Sequence, residues 1–329
     1  MNIFAIDHGN ESIKTPYLAF PCGISEHNTQ PPMVKSWIEW DGKYYALSKT
    51  PQEYMKDKTT NINYLVYTLF ALCKEEKRGN ISFKEPISLA VGLPPLYMSE
   101  LQGSFQKYFL VGLQKGIQFR YCGEEKNITV NSVSVYPQGY SAAYAYRPHQ
   151  SVSNKIDKRN KILSEFDRYL IIDIGGVTVD IIYFDDNLPV LDKTATKPLG
   201  IIKMTEEIIN KVEMEHGYEV SRRDIEAVLR KEKHILPEPL VKYIRECCAD
   251  WSSKLITQVG AIVSDLRLIP CVFMGGGALL LEKDLKTDTR LPSEIEFIKD
   301  PKANAEGYLL LEKIMMKRKE KEMSKQRGN

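Results

Sequence analysis

Two places in the sequence pair an aspartate with a glycine directly after an apolar run. Asp7 and Gly9 follow the apolar residues 3–6, and Asp173 and Gly175 follow residues 170–172. Glycine allows consecutive backbone N–H groups to surround an anion, and a carboxylate is a hard oxygen ligand for Mg²⁺, usually through water. Each bend is therefore a candidate binding site for a phosphate group and its metal ion.

One such bend alone is usually an ordinary turn, because Asp and Gly are common in turns. The two bends lie 166 residues apart in a chain of 329 residues, about half its length. This spacing indicates one supersecondary unit that is repeated in each half of the chain. Two facing bends would hold a polyphosphate from both sides, and Lys14 could add a positive point charge.

A third candidate is the run Gly275-Gly276-Gly277-Ala278, which follows an apolar strand and precedes an apolar helix. Bare glycine backbone would allow a flat adenine or ribose to lie against it. The alternative is a tight strand-to-helix turn that binds no ligand. The sequence contains neither a G-x-x-x-x-G-K-[ST] loop nor a G-x-G-x-x-G fingerprint, which disfavours a P-loop NTPase and a Rossmann dehydrogenase.

The apolar runs around the bends predict the elements that must position them. In each half a second run follows the bend, at residues 13–20 and 177–184, and predicts a β-hairpin. Asp41-Gly42 predicts a tight turn between two strands at residues 37–45. The remaining predictions are helices at residues 60–76, 98–115 and 139–146, a linker at 151–168, a largely helical stretch from 200 to 266, a strand at 269–274 and a final helix after Pro301.

Composition and charge narrow the class of protein. At 329 residues we expect two domains, and 43% hydrophobic with 27% charged residues predicts a soluble, globular protein. Because the N-terminus has no basic and apolar leader and no apolar run approaches about 20 residues, we expect the protein to be cytoplasmic. The formal net charge of +2 excludes the global excess of positive charge expected of a dedicated nucleic-acid coat, but it leaves a local basic patch open. The six cysteines form no C-x-x-C pair, which argues against a zinc site or a disulfide framework. From Lys313 the tail is basic, which could indicate contact with DNA but is more often a solvated helix end that frays to disorder, the interpretation we favour.

The motifs resemble those of the actin superfamily, in its order and at suitable intervals along nearly the whole chain. Within it the chain resembles the ParM group, the plasmid-partition actins, at residues 91–94, 198–200 and 303–307. The matching segments are residues 7–14 and 173–180 as the two phosphate motifs, 273–278 as the adenosine motif, and 136–139 and 301–307 as the two connecting motifs.

The resemblance implies an α/β, actin-like fold: two ribonuclease-H-like α/β domains flank a nucleotide cleft, and each carries a smaller inserted subdomain. Domain I would comprise residues 1–160, with its small subdomain at about 25–85, and the C-terminal helix at 301–320. Domain II would comprise residues 161–300, with its small subdomain at about 203–265. Residues 321–329 would form a polar tail.

The resemblance also implies ATP or GTP with Mg²⁺ as ligands. Asp7 and Asp173 would hold water around the metal ion, and Gln138 would orient the attacking water. Many ParM relatives have Glu at this last position, which leaves open whether a general base acts or only a positioning group. The implied nucleotide-binding residues are Gly9, Asn10, Glu11 (by its backbone alone, because actin has Gly there), Ser12, Lys14, Gly175, Gly176, Val177, Thr178, Asp180, Gly275, Gly276, Gly277 and Ala278.

The function implied is a bacterial ATPase that polymerises between adaptor-bound plasmids and so segregates plasmid DNA. Its partners would be further copies of itself, head to tail, and a DNA-binding adaptor at the filament end, with no direct nucleic acid and no membrane. Trp37, Trp40, Tyr44 and Tyr45 are filament-surface candidates, although ordinary cross-strand packing is favoured. The alternatives are a sugar- or acetate-kinase-type phosphotransferase of the same fold and a non-polymerising scaffold ATPase.

Overall fold

The computed structural model describes residues 2–48, 55, 57–114, 116–147, 160–263 and 265–327. The chain divides into two compact units, Met1–Ala145 with Lys302–Asn329 (unit 1) and Tyr146–Pro301 (unit 2). The predicted linker at 151–168 falls largely outside the described residues.

The first part of unit 1 contains these elements in chain order: β1 (Ile3–Ala5), β2 (Asp7–His8), β3 (Ser12–Lys14), β4 (Ala19–Pro21), β5 (Ile24–His27), β6 (Trp37–Trp40), β7 (Lys43–Leu47), α1 (Asn63–Glu76), β8 (Ile87–Leu93), α2 (Met98–Leu113), β9 (Ile117–Tyr121), β10 (Glu124–Ile128), β11 (Val130–Pro137) and α3 (Tyr140–Tyr146). Unit 2 and the final helix of unit 1 contain α4 (Lys161–Glu165), β12 (Tyr169–Ile174), β13 (Val179–Asp185), β14 (Leu188–Lys197), α5 (Ile201–His216), α6 (Arg222–Arg230), α7 (Glu238–Gly260), β15 (Cys271–Met274), α8 (Gly275–Leu280), α9 (Glu282–Thr287), β16 (Ile295–Phe297) and α10 (Ala303–Arg327).

The centre of unit 1 is a parallel sheet in the order β1-β8-β11, beside an antiparallel sheet β2-β3-β4. Only Ile6 separates β1 from β2, and its N–H donates to the carbonyl of Ala90 on β8 at 2.9 Å. All seven residues of β8 are buried, as expected for a central parallel strand. The first bend is therefore connected to the buried sheet by a single residue.

The prediction of one strand at residues 13–20 is wrong, because two strands, β3 and β4, lie there. The N–H of Thr15 donates to the carbonyl of Leu18 at 2.9 Å, and the Thr15 hydroxyl accepts from the Leu18 N–H at 3.1 Å. Pro16 lacks the N–H that a continuing strand would need. A turn therefore divides the run.

A second sheet of unit 1 has the order β10-β9-β6-β7-β5. Asp41 and Gly42 both have positive φ, 51° and 72°, so the predicted tight turn between β6 and β7 is confirmed. Strands β9 and β10, which were not predicted from the sequence, complete this sheet. The rings of Trp37 and Tyr44 pack with centroids 5.5 Å apart, and Tyr45 is buried.

Unit 2 is built on a sheet in the order β14-β13-β12-β15-β16, in which β12 pairs antiparallel with β13 and parallel with β15. Its helices α5 and α7 bury apolar faces in the same core as β12 and β15. The capping box of α6, between Ser221 and Asp224, satisfies the first N–H groups of that helix.

The final helix α10 packs against the parallel sheet of unit 1. The hydroxyl of Tyr136 on β11 donates to the buried carboxylate of Glu312 at 2.6 Å. Beyond Glu312 the helix continues to Arg327, past the end at residue 320 that we predicted. Within the described residues, no helix is long and apolar enough to cross a bilayer.

Candidate functional site

The first bend lies between β2 and β3, where Asp7 stands opposite Lys14. The Lys14 ammonium is 3.5 Å from the Asp7 carboxylate and 3.4 Å from the carbonyl oxygen of Ser12. A Cβ on Gly9 would lie only 2.6 Å from that carbonyl oxygen and 2.8 Å from the Lys14 nitrogen. The bend therefore requires glycine at this position, and it brings a carboxylate and a cation together.

Gln138 is part of the same cluster. Its Nε2 donates to Oδ1 of Asp7 at 2.8 Å. The backbone is fixed on both sides, because the Gln138 N–H donates to Leu93 and the Gly139 N–H donates to the Asn304 side chain, each at 2.8 Å. With Nε2 engaged, Oε1 of Gln138 is the atom that can accept a hydrogen bond from a ligand or a water.

His8 supports the first bend through buried contacts of its side chain, and no sequence motif indicates this role. Its ring is fully buried and stacks on Phe109 with centroids 5.1 Å apart. Its Nε2 is 2.9 Å from the Thr68 hydroxyl, which already donates to the Tyr64 carbonyl at 2.8 Å. Thr68 therefore accepts, so that His8 carries its proton on Nε2.

Lys58 is a buried cation beside the same residue. Its ammonium donates to the carbonyl oxygen of His8. Burial lowers the pKa of His8 well below its ordinary value, and the charge of Lys58 lowers it further. The imidazole is therefore neutral near pH 7. No local sequence signal marks Lys58, because it is 50 residues away from the bend that it contacts.

The second bend lies between β12 and β13, in unit 2. Asp173 and Asp180 stand opposite each other, and the Thr196 hydroxyl donates to the Asp180 carboxylate at 2.5 Å. The N–H of Gly175 donates across the bend to the Thr178 carbonyl at 2.9 Å. Within the described residues, the N–H groups of residues 176–178 have no protein acceptor. They are the donors that an anion could use.

The N-terminus of α5 holds the second bend. The N–H groups of Ile201 and Ile202 donate to the carbonyls of Gly175 and Gly176 at 3.1 and 2.8 Å. A Cβ on Gly200 would lie 2.4 Å from the Gly176 carbonyl oxygen, so only glycine permits this approach. In the sequence, Gly200 is marked only as part of a family motif, which does not indicate that its backbone packs against the second bend.

The glycine run at 275–277 begins helix α8 directly after β15, and its three members are not equivalent. A Cβ on Gly275 would lie 2.5 Å from the Asp173 carboxylate, and one on Gly277 would lie 2.4 Å from the Ile174 side chain. A Cβ on Gly276 would meet nothing within 4 Å. Ala278 is fully buried. Of the run, Gly276 is therefore the position that faces open space.

The predicted site residues thus form two clusters. Unit 1 brings together Asp7, Lys14, Gln138 and residues 9–12, and unit 2 brings together Asp173, Asp180, residues 175–178 and residues 275–278. In the part of the chain that is described, no group of three or more His, Cys, Asp or Glu side chains could hold a metal ion.

The sheets and connections of the two units define an actin-like fold. Comparison with known proteins shows which family of that fold the chain belongs to. A family model for the N-terminal domain of actin-like proteins matches residues 5–140, and one for the plasmid segregation protein ParM, C-terminal, matches residues 163–326. The chain is a ParM-like member of the actin superfamily. A search of curated proteins finds no significant match.

Solved structures share the fold at low sequence identity. The chain is similar to Ta0583, an archaeal actin homologue, with 16% identity, a TM-score of 0.72 and coverage of 94% of this chain and 98% of that one. It is similar to the subunit of a 15-stranded ParM filament from Clostridium botulinum, with 18% identity, a TM-score of 0.70 and coverage of 95% and 99%. It is also similar to Bacillus thuringiensis ParM with ATP, with 17% identity, a TM-score of 0.64 and coverage of 95% and 99%. At these identities the likeness shows the fold alone.

The glycine run provides a paired test of the packing around α8. Gly277→Ala should lower the free energy of unfolding by about 1–3 kcal/mol, because its Cβ overlaps the Ile174 side chain. Gly276→Ala should leave it unchanged or raise it by up to about 1 kcal/mol, because Ala favours the helix and meets no neighbour. Urea denaturation measures both values. Equal losses for the two variants would contradict the described packing.

The buried His8 makes stability depend on pH. Because the folded-state pKa is lowered, the unfolded chain binds more protons below about pH 6.5, and stability falls there by up to about 1.4 kcal/mol per pH unit. His8→Gln should lose this part of the slope, whereas His216→Gln, at an exposed histidine, should keep it. Urea denaturation between about pH 7.5 and pH 5.5 measures the slopes. A His8→Gln slope equal to that of the wild type would show that His8 protonates freely when folded.

Proposed function

We propose that the chain is a bacterial, cytoplasmic, actin-like ATPase that binds ATP or GTP with Mg²⁺, polymerises head to tail and moves plasmid DNA. The observation that carries the proposal is the second bend, where the N–H groups of residues 176–178 have no acceptor among the described residues while α5 fixes the carbonyls behind them. Backbone donors held open in this way suit a phosphate group.

In this proposal each of the two bends binds phosphate. Residues 9–12 and 175–178 contribute backbone groups, with Glu11 contributing its backbone alone, and Lys14 contributes a cation. Gly276 is the part of the glycine run against which adenosine lies, because a side chain there would occupy open space. Gly275, Gly277, Ala278 and Asp180 support these surfaces through packing and hydrogen bonds.

Asp7 and Asp173 would each be suited to a magnesium ion that keeps most of its water. Mg²⁺ is commonly bound by one or two carboxylates together with substrate phosphates, and the described residues offer no larger ligand cluster. When bound, Mg²⁺ neutralises charge that develops on the phosphates during transfer. Asp7 would hold a metal-bound water while it continues to accept from Gln138.

Gln138 would position the attacking water. Its Nε2 is committed to Asp7, so its Oε1 accepts a hydrogen bond from the water and orients the oxygen toward the γ-phosphate. A neutral amide is too weak a base to remove a proton. Of the two roles left open by the sequence, we therefore propose positioning for Gln138.

Nucleotide hydrolysis would control the filament. A subunit dissociation constant near 1 μM corresponds to about −8 kcal/mol, and losing about 2 kcal/mol on hydrolysis would weaken it about thirtyfold. That change is sufficient to convert a growing end into a shrinking one. A similar solved structure is a ParM filament, and another is ParM with ATP, which supports both halves of the proposal. A separate adaptor would link the filament end to plasmid DNA.

Light scattering at several protein concentrations after addition of ATP and Mg²⁺, with phosphate release followed in parallel, tests this function. Scattering should rise above a critical concentration and decay as phosphate accumulates. Gln138→Ala should still polymerise but release phosphate at least about tenfold more slowly, which stabilises the polymer. Asp173→Ala should abolish or freeze the cycle.

The two alternative functions, a scaffold ATPase and a phosphotransferase, predict different results. Nucleotide binding without scattering at any concentration would contradict the filament and favour a scaffold ATPase. Release of ADP that depends on an added sugar or acetate would favour a phosphotransferase instead.

A further inference from the structure

The last part of α10 extends beyond the body of unit 1. Up to Lys325, where the description of side chains ends, Glu312 is the last buried residue, and every residue from Lys317 to Lys325 is exposed. Residues 313–327 remain helical over about 22 Å. Within the described residues the tail is thus a solvent-exposed helix, which agrees with the expected solvated helix end.

This helix concentrates positive charge. Residues 313–329 contain seven Lys and Arg against two Glu, whereas the preceding 312 residues carry a formal net charge of −3. The helical repeat places five of the cations within roughly 140° of the circumference. These five residues, which we call the basic face, are Lys313, Lys317, Arg318, Lys321 and Lys325.

Among the described residues, no carboxylate is paired with the basic face. Within the described residues, none of its cations forms an ion pair. Lys313, Lys317, Lys321 and Lys325 follow one another at i,i+4, and like charges at this spacing destabilise a helix. The arrangement costs stability in the free protein, and binding of an anionic partner would offset this cost.

The residue composition of the basic face indicates which kind of anionic partner it binds. Protein–protein interfaces are depleted in Lys and are anchored by buried aromatic or apolar groups. Apart from the partly buried Ile314 in its first turn, the basic face contains only Lys, Arg and Ser324. Regularly spaced cations without an apolar anchor instead match the phosphate backbone of duplex DNA, which carries one charge per about 1.7 Å of its axis.

We propose that the basic face of α10 binds the phosphate backbone of double-stranded DNA without sequence preference. This revises the expectation of no direct contact with nucleic acid. Contact with about four phosphates gives a slope near −4 for the logarithm of the binding constant against the logarithm of salt concentration. The proposal does not depend on nucleotide binding or on filament formation.

Fluorescence anisotropy with labelled duplex DNA, at a series of salt concentrations and without nucleotide, tests the proposal on the full chain. Lys317→Gln/Lys321→Gln/Lys325→Gln should weaken binding at least about tenfold at low salt and reduce the slope by about 2.7. The matched control is Lys84→Gln/Lys107→Gln/Lys233→Gln, which removes the same charge from exposed lysines elsewhere. It should change binding less than about twofold.

Three outcomes would overturn the proposal. Equal losses in the two triple variants would mean that overall charge, not the basic face, determines binding. Binding that is insensitive to salt would exclude phosphate contacts. Absence of DNA binding at low salt would leave an acidic protein as the partner of the face. Circular dichroism of each variant verifies that helix content is unchanged, so that a loss of binding is not a loss of folding.

Discussion

The second bend keeps its shape because α5 donates its first backbone N–H groups to the carbonyls of Gly175 and Gly176. This contact requires the backbones to approach closely, and only glycine at position 200 permits it. With the carbonyls occupied by the helix, the N–H groups of residues 176–178 are the ones left for another molecule. The same bonds satisfy donors that every helix leaves unpaired at its N-terminus. One packing constraint therefore fixes both the helix and the candidate phosphate site.

In unit 1 the first bend is held by side chains and not by the N-terminus of a helix. Side chains support its bend: Lys58 binds the His8 carbonyl, His8 stacks on Phe109, and Gln138 binds Asp7. Buried polar groups of this kind are stable only when they are paired, so the support depends on residues far apart in sequence. Because Gln138 is bonded both to Asp7 and, through the backbone, to β8, the position of its amide follows from the central sheet.

The sequence predicted the parts of the fold that depend on local patterns. The apolar runs located β12 and β13, the predicted helical stretch from 200 to 266 contains α5, α6 and α7, and Asp41-Gly42 located the turn between β6 and β7. It did not predict β9 and β10, whose polar and apolar residues become a sheet only when they pair with β6. It also missed Lys58 and the unequal roles of Gly275, Gly276 and Gly277, because these depend on contacts between distant segments. The assignment of the bends to phosphate came from the repeat and the resemblance, and it remains a prediction.

Isothermal titration calorimetry with ATP and Mg²⁺ against adenosine tests the central claim, that the bends bind phosphates while Gly276 accommodates adenosine. The account predicts that ATP binds at least about a hundredfold more tightly than adenosine, a difference of about 2.7 kcal/mol. Lys14→Met should weaken ATP alone, and Gly276→Ala should weaken both ligands equally. Equal affinities for ATP and adenosine, or no binding of ATP to the folded protein, would contradict the account.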